Sequence, residues 1–441
     1  MARTTAQASR RSARILRSRE VAESSRKAGY PCNCDNDGVC VLNRCTEPLA
    51  WNLDPSSVAA QTACPLFTVL PKEIRELIYE FALTETPRHP EEIYQTRRLQ
   101  QIAAHPDRAE NLLLTCKSVY LETYLHPILM NAFVVPCLHG ISIPKPKFRL
   151  PWQFANVQAL DITLQQTMLE GECLHDFLHG ADLWQPEARH KGVYVAPYVK
   201  LRNGAGQSEK SFDFTLLPAS KETASVSALG VVMEQMQLPP GFNIPQSSMR
   251  VQRARPLVQL TLRMNHTDWW TWTDHPDSTN AKHNHLGLDP ALGDGLDSTS
   301  HRPTSTRMQE LAQQRRDGYD PVPRDLLGGT TPGWAHVVAK LPDLKTLELV
   351  LETFLEKKAQ LETVVECAKT WRFPIAGERF ELAWSGEVEA SRRSKINEHL
   401  SFEQTWGTTW YAHSTEFEVR TIRFKRRRRV HDSEDEDCKV H

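Results

Sequence analysis

Three short segments in the second half of the chain alternate apolar and polar residues, and they constrain the fold more than any other feature. Their apolar positions are Leu160, Ile162 and Leu164, then Val258, Leu260, Leu262 and Met264, then Leu347, Leu349 and Leu351. A period of two places such side chains on one face of a β-strand. An amphipathic helix then carries Leu361, Val364, Val365, Ala368 and Trp371 on one side, and Phe380, Leu382 and Trp384 form a further strand. Strand, helix and strand in this order predict an α/β body.

The spacing of these strands sets the domain organisation. They lie roughly 90 to 100 residues apart, far beyond the period of a leucine-rich solenoid, so we expect a two- or three-layer α/β body over residues 150–424. Residues 274–331 are rich in Gly, Pro, Ser, Asp and His. Such a stretch predicts a long disordered insertion in the body, with one helix near 305–317.

The two ends of the chain are basic, whereas the middle is acidic. Residues 1–27 hold eight Lys or Arg against two Glu, and residues 420–441 hold eight Lys or Arg against five Asp or Glu. Because the whole chain has a net charge of −1, residues 28–419 carry about −10. An acidic body is not suited to a phosphate backbone, so contact with nucleic acid is expected only through the basic tails. Residues 1–63 are predicted to form a disordered basic N-terminus.

A compact basic run lies near the C-terminus and is typical of a nuclear localisation signal. It consists of Lys425, Arg426, Arg427, Arg428 and Arg429. Ser433 follows in an acidic stretch that suits an acidophilic kinase, and phosphate there would place negative charge beside the basic run. We therefore expect a charged tail over 425–441 and a nuclear protein. The cytoplasm is the alternative, and the Arg-rich N-terminus also fits a mitochondrial transit peptide.

Four cysteines within one polar segment are the strongest candidate metal ligands. They are Cys32, Cys34, Cys40 and Cys45. Four thiolates can bind Zn²⁺ tetrahedrally and fold a segment that has no apolar core. Free thiols in a disordered tail are the other interpretation. The first 20 residues have no apolar stretch typical of a secretory signal, and the sequence has no run of about 18 apolar residues. We therefore expect reduced cysteines and no membrane-spanning helix.

Motifs that organise catalysis are missing from the sequence. It contains no Gly-x-Ser-x-Gly elbow, phosphate-binding Walker loop, His-Glu-x-x-His pair or dinucleotide-binding glycine fingerprint. We therefore expect a binding protein and not an enzyme, although an enzyme of unrecognised type in the α/β body stays open.

A second group of helices is expected ahead of the α/β body, so the predicted fold class of the whole chain is α+β or α/β. Pro71 is well placed to begin a helix. The apolar residues that follow it at helical spacing are Ile74, Leu77, Ile78, Phe81 and Ala82. A second helical run is predicted over about 109–125, and a short helix leading into a strand over 128–135.

Two stretches of this region carry a family resemblance. The first, Leu66-Phe67-Thr68-Val69-Leu70-Pro71-Lys72-Glu73-Ile74-Arg75, continues to Tyr79 and resembles the opening of an F-box. The second, beginning Leu113-Leu114-Thr115-Cys116-Lys117, is similar to its later half. The paired pattern is closest to the F-box-like domains of unknown function found in filamentous fungi. It covers about 64–136, and residues 84–108 intervene where a standard F-box has a short turn.

This resemblance implies a small helical module that binds proteins. Its partner-binding residues would be Leu66, Leu70, Pro71, Ile74 and Ile78, and its partner a Skp-type adaptor of a cullin-type ubiquitin ligase. The α/β body would then recognise the target protein. The alternative is that the apolar stripe packs against the body and binds nothing. A different class of function, a zinc-binding chromatin- or nucleus-associated scaffold protein, would use the four cysteines and the basic tails.

Overall fold

The computed structural model shows an α+β protein with a helical segment followed by a seven-stranded mixed sheet. It describes residues 48–53, 56, 58–84, 109–138, 151–170, 173–180, 194–195, 216–217, 252–266, 268, 288–291, 305–319, 333–395 and 415–429. Within these ranges, none of the helices has both the length and the apolar character needed to cross a membrane.

In its described residues, 58–84 and 109–131, the N-terminal helical segment contains four short helices. They are α1 (Pro65–Thr68), α2 (Lys72–Leu83), α3 (Lys117–Thr123) and α4 (His126–Leu129), with a 3-10 turn at Glu110–Leu114 before α3 and another at Leu49–Asn52 ahead of the segment. Pro71 is the N-cap of α2, one position before its predicted place, and its extended backbone directs the chain into the helix. Asn131 Nδ2 donates to the carbonyl oxygen of Leu83 at 2.8 Å and so ties the end of α2 to the start of the body.

The strands of the main sheet are β1 (Phe133–Leu138), β2 (Ala159–Leu164), β6 (Gln259–Met264), β7 (Thr346–Phe354), β8 (Arg372–Pro374), β9 (Phe380–Lys395) and β10 (Thr415–Arg428). Their order in the sheet is β1-β2-β6-β7-β10-β9-β8. The first four in that order are parallel, and the last three join β7 through antiparallel pairing. A small antiparallel sheet contains β3 (Tyr194–Val195), β4 (Leu216–Leu217) and β5 (Gln252–Arg253).

The three predicted alternating segments are β2, β6 and β7, and they lie side by side. Leu160 is paired with Leu260, which is paired with Leu347, and Ile162, Leu262 and Leu349 form the next row. Equal spacing of the apolar residues lets the three strands share one register, so their side chains build a continuous apolar face. The prediction of strands at these positions is confirmed.

Helices cover that apolar face and complete one core. They are α5 (Pro151–Asn156), α6 (Gln166–Glu170), α7 (Cys173–His175, continued by a π turn at Asp176–Gly180), α8 (Ser305–Arg316), α9 (Ala335–Ala339) and α10 (Lys358–Ala368, preceded by a 3-10 turn at Leu355–Lys357). Trp371 and Phe373, which follow α10, are buried with Phe424 of β10 in stacked and edge-to-face ring contacts. The predicted helix after the third strand is therefore α10.

Two parts of the stretch expected to be a disordered insertion are folded. The helix expected near 305–317 is α8, and its Met308, Leu311 and Ala312 are buried. Leu288 and Asp289 are buried too. The prediction of a helix near 305–317 is therefore confirmed, whereas disorder is the wrong expectation for 288–291, where Leu288 belongs to the core. Residues 274–287, 292–304 and 320–331 lie outside the described residues.

The boundary between body and C-terminal tail is also corrected. The tail was expected to begin at Lys425, but β10 runs through Arg428 and occupies the middle of the sheet between β7 and β9. Phe417, Val419, Ile422 and Phe424 anchor it, and all four are buried. Burial of these four apolar residues fixes the position of the strand in the sheet, so the arginines that adjoin them are part of the sheet.

Candidate partner-binding surface

The inner face of α2 packs against the rest of the helical segment. Tyr79 and Leu83 are fully buried and form a small core with Val119 of α3. Leu66, Phe67, Leu112, Leu113 and Cys116 pack around it. Positions 79 and 83 are one helical turn apart, so a single side of the helix is committed to this core.

The opposite side of α2 carries four exposed apolar residues, which we call the outer face of α2. The exposed fraction is 43 % for Ile74, 60 % for Leu77, 42 % for Ile78 and 89 % for Phe81. Their spacing of i, i+3, i+4 and i+7 aligns them in one stripe. A single exposed apolar residue is ordinary, whereas several in one stripe mark a surface that gains free energy when it is covered.

An ion pair holds α2 in this orientation. Arg75 Nη2 lies 2.6 Å from Glu122 Oε1 and Arg75 Nε lies 3.1 Å from Glu122 Oε2, while Arg75 Nη1 donates to the carbonyl oxygen of Leu70. Burial acts to raise the pKa of Glu122, but the hydrogen bond from Arg75 and its charge outweigh burial and hold the pKa below its ordinary value. Burial, together with the nearby Glu122 carboxylate, raises the pKa of Tyr79 to about 12. Arg75 lies in the first stretch of the F-box-like pattern and Glu122 in the second, so this ion pair joins the two stretches.

The two ends of the chain segment between these two stretches lie next to each other at the end of α2. The backbone N–H of Ala109 donates to the carbonyl oxygen of Ala82 at 3.2 Å. The chain therefore returns beside the end of α2 after residues 85–108, which lie outside the described residues. The two ends of the intervening stretch therefore lie close together, and Val119 of α3 packs with Tyr79 and Leu83 of α2.

The expected partner-binding residues divide between the two sides. Ile74 and Ile78 lie on the outer face of α2, and Pro71 is exposed at its start. Leu66 and Leu70 are half-buried, and Leu66 packs on the small core. The expectation did not include Leu77 and Phe81, which are the most exposed residues of the stripe. Their helical spacing with Ile74 was the available signal, but spacing does not say which side faces solvent.

The other expected sites are placed as follows. Cys32, Cys34, Cys40, Cys45 and Ser433 lie outside the described residues. In the part of the chain that the structure describes, no group of three or more His, Cys, Asp or Glu side chains is arranged to hold a metal ion. Zinc binding by the cysteines and phosphorylation of Ser433 remain predictions.

The basic run expected to act as a nuclear localisation signal is part of β10. Lys425 is exposed, whereas Arg426 lies over the ring of Phe380 and donates to the carbonyl oxygen of Pro342. Arg427 Nη2 lies 2.8 Å from Glu381 Oε1. Arg428 ends the strand, and Arg429 donates to the carbonyl oxygen of Ile375. The run is thus held in strand pairing, and an import receptor would meet it in that form.

A charged cluster lies where the parallel strands end, the edge at which α/β sheets often bind ligands. Glu352 Oε1 accepts from His266 Nδ1 at 2.6 Å and from Arg393 Nη2 at 2.5 Å. The rings of Phe354 and Phe417 pack against His266, and Arg393 lies over Phe417. Glu352 is thus enclosed by its own partners. We interpret the cluster as a link between β7 and β9 that stabilises the sheet.

Comparison with known proteins adds no assignment to this geometry. No protein-family model, curated protein or solved structure matches the chain. The interpretation of the outer face of α2 therefore rests on its own residues. It is a stripe of four exposed apolar side chains on a helix whose other side is held by a small core and an ion pair.

Proposed function

We propose that this chain is an F-box-like interaction protein that binds a partner protein through the outer face of α2. The observation that carries the proposal is the exposure of Ile74, Leu77, Ile78 and Phe81 together on a helix held by its other side. Apolar side chains at this spacing suit a partner helix or groove that covers them.

Among the described residues, no contact supports the alternative that this stripe packs against the α/β body. The helical segment joins the core of the body through Ile128 of α4, with Tyr124 and Leu125 packed beside it. The α2 residues in the small core are Tyr79 and Leu83. The residues that attach the helical segment to the body therefore differ from those of the outer face of α2. In this proposal the stripe is left for a partner.

The partner that the F-box resemblance implies is a Skp-type adaptor, with the α/β body as the part that recognises a target protein. The core of the α/β body is larger than that of the helical segment, which fits a body that recognises a target and a smaller segment that binds the adaptor. Target degradation through a cullin-type ubiquitin ligase would be the outcome. Binding is the activity proposed, and no chemical step is assigned to this chain.

Leu77→Asp/Phe81→Asp is expected to abolish recovery of the partner when the full-length tagged chain is purified from cells. Aromatic and aliphatic residues at the centre of an interface contribute about 2 kcal/mol or more each, so we expect binding at least about 30-fold weaker. Both residues are exposed, and the thermal unfolding midpoint of the variant should equal that of the wild type. Partner recovery is measured by quantitative mass spectrometry.

Tyr319→Asp is the matched control, because Tyr319 is a large exposed side chain that follows α8 and is not part of α2. Recovery of a Skp-type adaptor and a cullin by the wild type and by Tyr319→Asp, but not by the double variant, supports the proposal. Equal recovery of the same proteins by all three chains contradicts it. Recovery of other proteins that the double variant loses supports the surface and removes the ligase assignment.

A further inference from the structure

The far end of the antiparallel part of the sheet carries three cations on one face, which we call the basic corner: Lys425 and Arg427 of β10 and Arg372 of β8. Lys425 lies opposite Ala383 of β9, and Arg372 lies opposite the same Ala383 from the other side. Directly opposite residues share a face, so the two cations flank a small side chain at two strand spacings, about 10 Å. Arg427 lies two residues further along the same face.

The basic corner has little charge compensation. Arg427 pairs with Glu381, but among the described residues neither Lys425 nor Arg372 forms an ion pair. Both are exposed, as are Lys345, Arg379 and Arg428 at neighbouring positions around the end of the sheet. These residues come from four separate parts of the chain. Residues 28–419 carry about −10 and residues 420–429 add seven cations, so the body has a net charge of only about −3 and this end of the sheet is a local positive surface.

An anionic segment of suitable length follows directly. Residues 432–437 read Asp-Ser-Glu-Asp-Glu-Asp, with five carboxylates in six positions. They begin three residues after Arg429, the last described residue, and three residues span at most about 10 Å. The segment is thus tethered beside the basic corner, where its effective concentration is on the order of millimolar.

We propose that residues 432–437 dock on the basic corner and cover Lys425, Arg427 and Arg372. Charge complementarity and the short tether carry this inference, which is independent of the function proposed for α2. Phosphate on Ser433 would add nearly two negative charges and an acceptor group suited to Arg372 and Arg427. Phosphorylation therefore strengthens docking and closes this surface to other anionic partners.

Lysine acylation of the full-length chain, followed by mass spectrometry, tests the proposal. The comparison is with a variant whose acidic segment is neutral: Asp432→Asn, Glu434→Gln, Asp435→Asn, Glu436→Gln and Asp437→Asn. In low salt, Lys425 is expected to react about threefold faster in the neutral variant, because the tethered carboxylates no longer cover it. The exposed Lys117 of α3 is the internal control and should react equally in both chains. In 0.5 M salt the difference at Lys425 should vanish, since the Debye length is then only a few ångströms, roughly 4 Å.

A second measurement uses a labelled peptide with the sequence of residues 430–441. It should bind the neutral variant at least about tenfold more tightly than the wild type, whose own segment competes at high effective concentration. Lys425→Glu/Arg372→Glu in the neutral variant should remove this binding, whereas Lys117→Glu should not. Equal acylation of Lys425 in both chains together with no peptide binding overturns the proposal. Equal binding of a single-stranded oligonucleotide to both chains under those conditions would assign the corner to nucleic acid instead.

Discussion

Replacing Arg315 by alanine is expected to destabilise the protein by about 3–5 kcal/mol, the usual cost of leaving one member of a buried ion pair uncompensated. Arg315 of α8 contacts Asp289 through two hydrogen bonds of 2.6 and 2.7 Å, and the Asp289 side chain is fully buried. Asp289 also accepts from the backbone N–H of Ala291. Removing the Arg315 guanidinium would leave the buried Asp289 carboxylate without a positive partner. Denaturant unfolding of the full-length chain measures the loss.

Arg316→Ala is the matched control, since Arg316 is the neighbouring residue of the same helix and is exposed. Within the described ranges its side chain forms a hydrogen bond only with Gln313, at 3.5 Å, so we expect a change within about 0.5 kcal/mol. A double variant, Asp289→Leu/Arg315→Met, should be more stable than either single variant, because no buried charge is left unpaired. Equal stability of Arg315→Ala and Arg316→Ala would show that the ion pair does not hold α8 on the core.

Replacing Glu352 by glutamine is expected to cost about 3 kcal/mol or more at neutral pH, because Arg393 would then be a buried charge without its carboxylate. Glu352 and Arg393 are both nearly inaccessible, and they join β7 to β9 across β10. The control is Glu348→Gln, on the same strand and the same face, whose partner Arg423 is about one-third exposed. An exposed pair contributes about 0–1 kcal/mol, so this variant should lose much less.

The pH dependence of the Glu352 variant provides a separate prediction. Burial acts to raise the pKa of Glu352, but hydrogen bonds from His266 and Arg393 and the Arg393 charge outweigh it and lower the pKa from its ordinary value of 4.5. A lowered folded-state pKa means that the carboxylate stabilises the fold above pH 4.5 and loses this effect as the pH falls further. The gap in unfolding free energy between wild type and Glu352→Gln should therefore close below pH 4.5. A gap that stays constant with pH would contradict this origin.

Much of the fold could be predicted from local patterns. The strands at Leu160, Leu260 and Leu347 and the helix at Leu361 were found because side-chain periods of 2 and 3.6 are properties of neighbouring residues. The helix near 305–317 was also found. The strand β10 was not, because arginines and lysines are typical of solvated tails and the apolar residues among them are few. Its place between β7 and β9 depends on pairing with residues far away in the chain.

The candidate partner-binding surface was predicted in part. Helical spacing identified the apolar stripe of α2 and included Ile74 and Ile78 among the expected binding residues. Spacing does not distinguish a stripe that faces a core from one that faces solvent, since both have the same period. The distinction came from Tyr79, a bulky aromatic residue on the other side of the helix that packs with Val119.

The sequence by itself determined the class of this protein: an α+β chain with a helical segment before a sheet built on three leucine-rich strands. Local periodicity and turn residues are sufficient for that. Only the tertiary structure decided that the outer face of α2 is exposed, that β10 lies in the middle of the sheet, and that Lys425 and Arg372 flank the same alanine. Each of these depends on which distant residues compete for burial and pairing, and no short stretch of sequence contains that information.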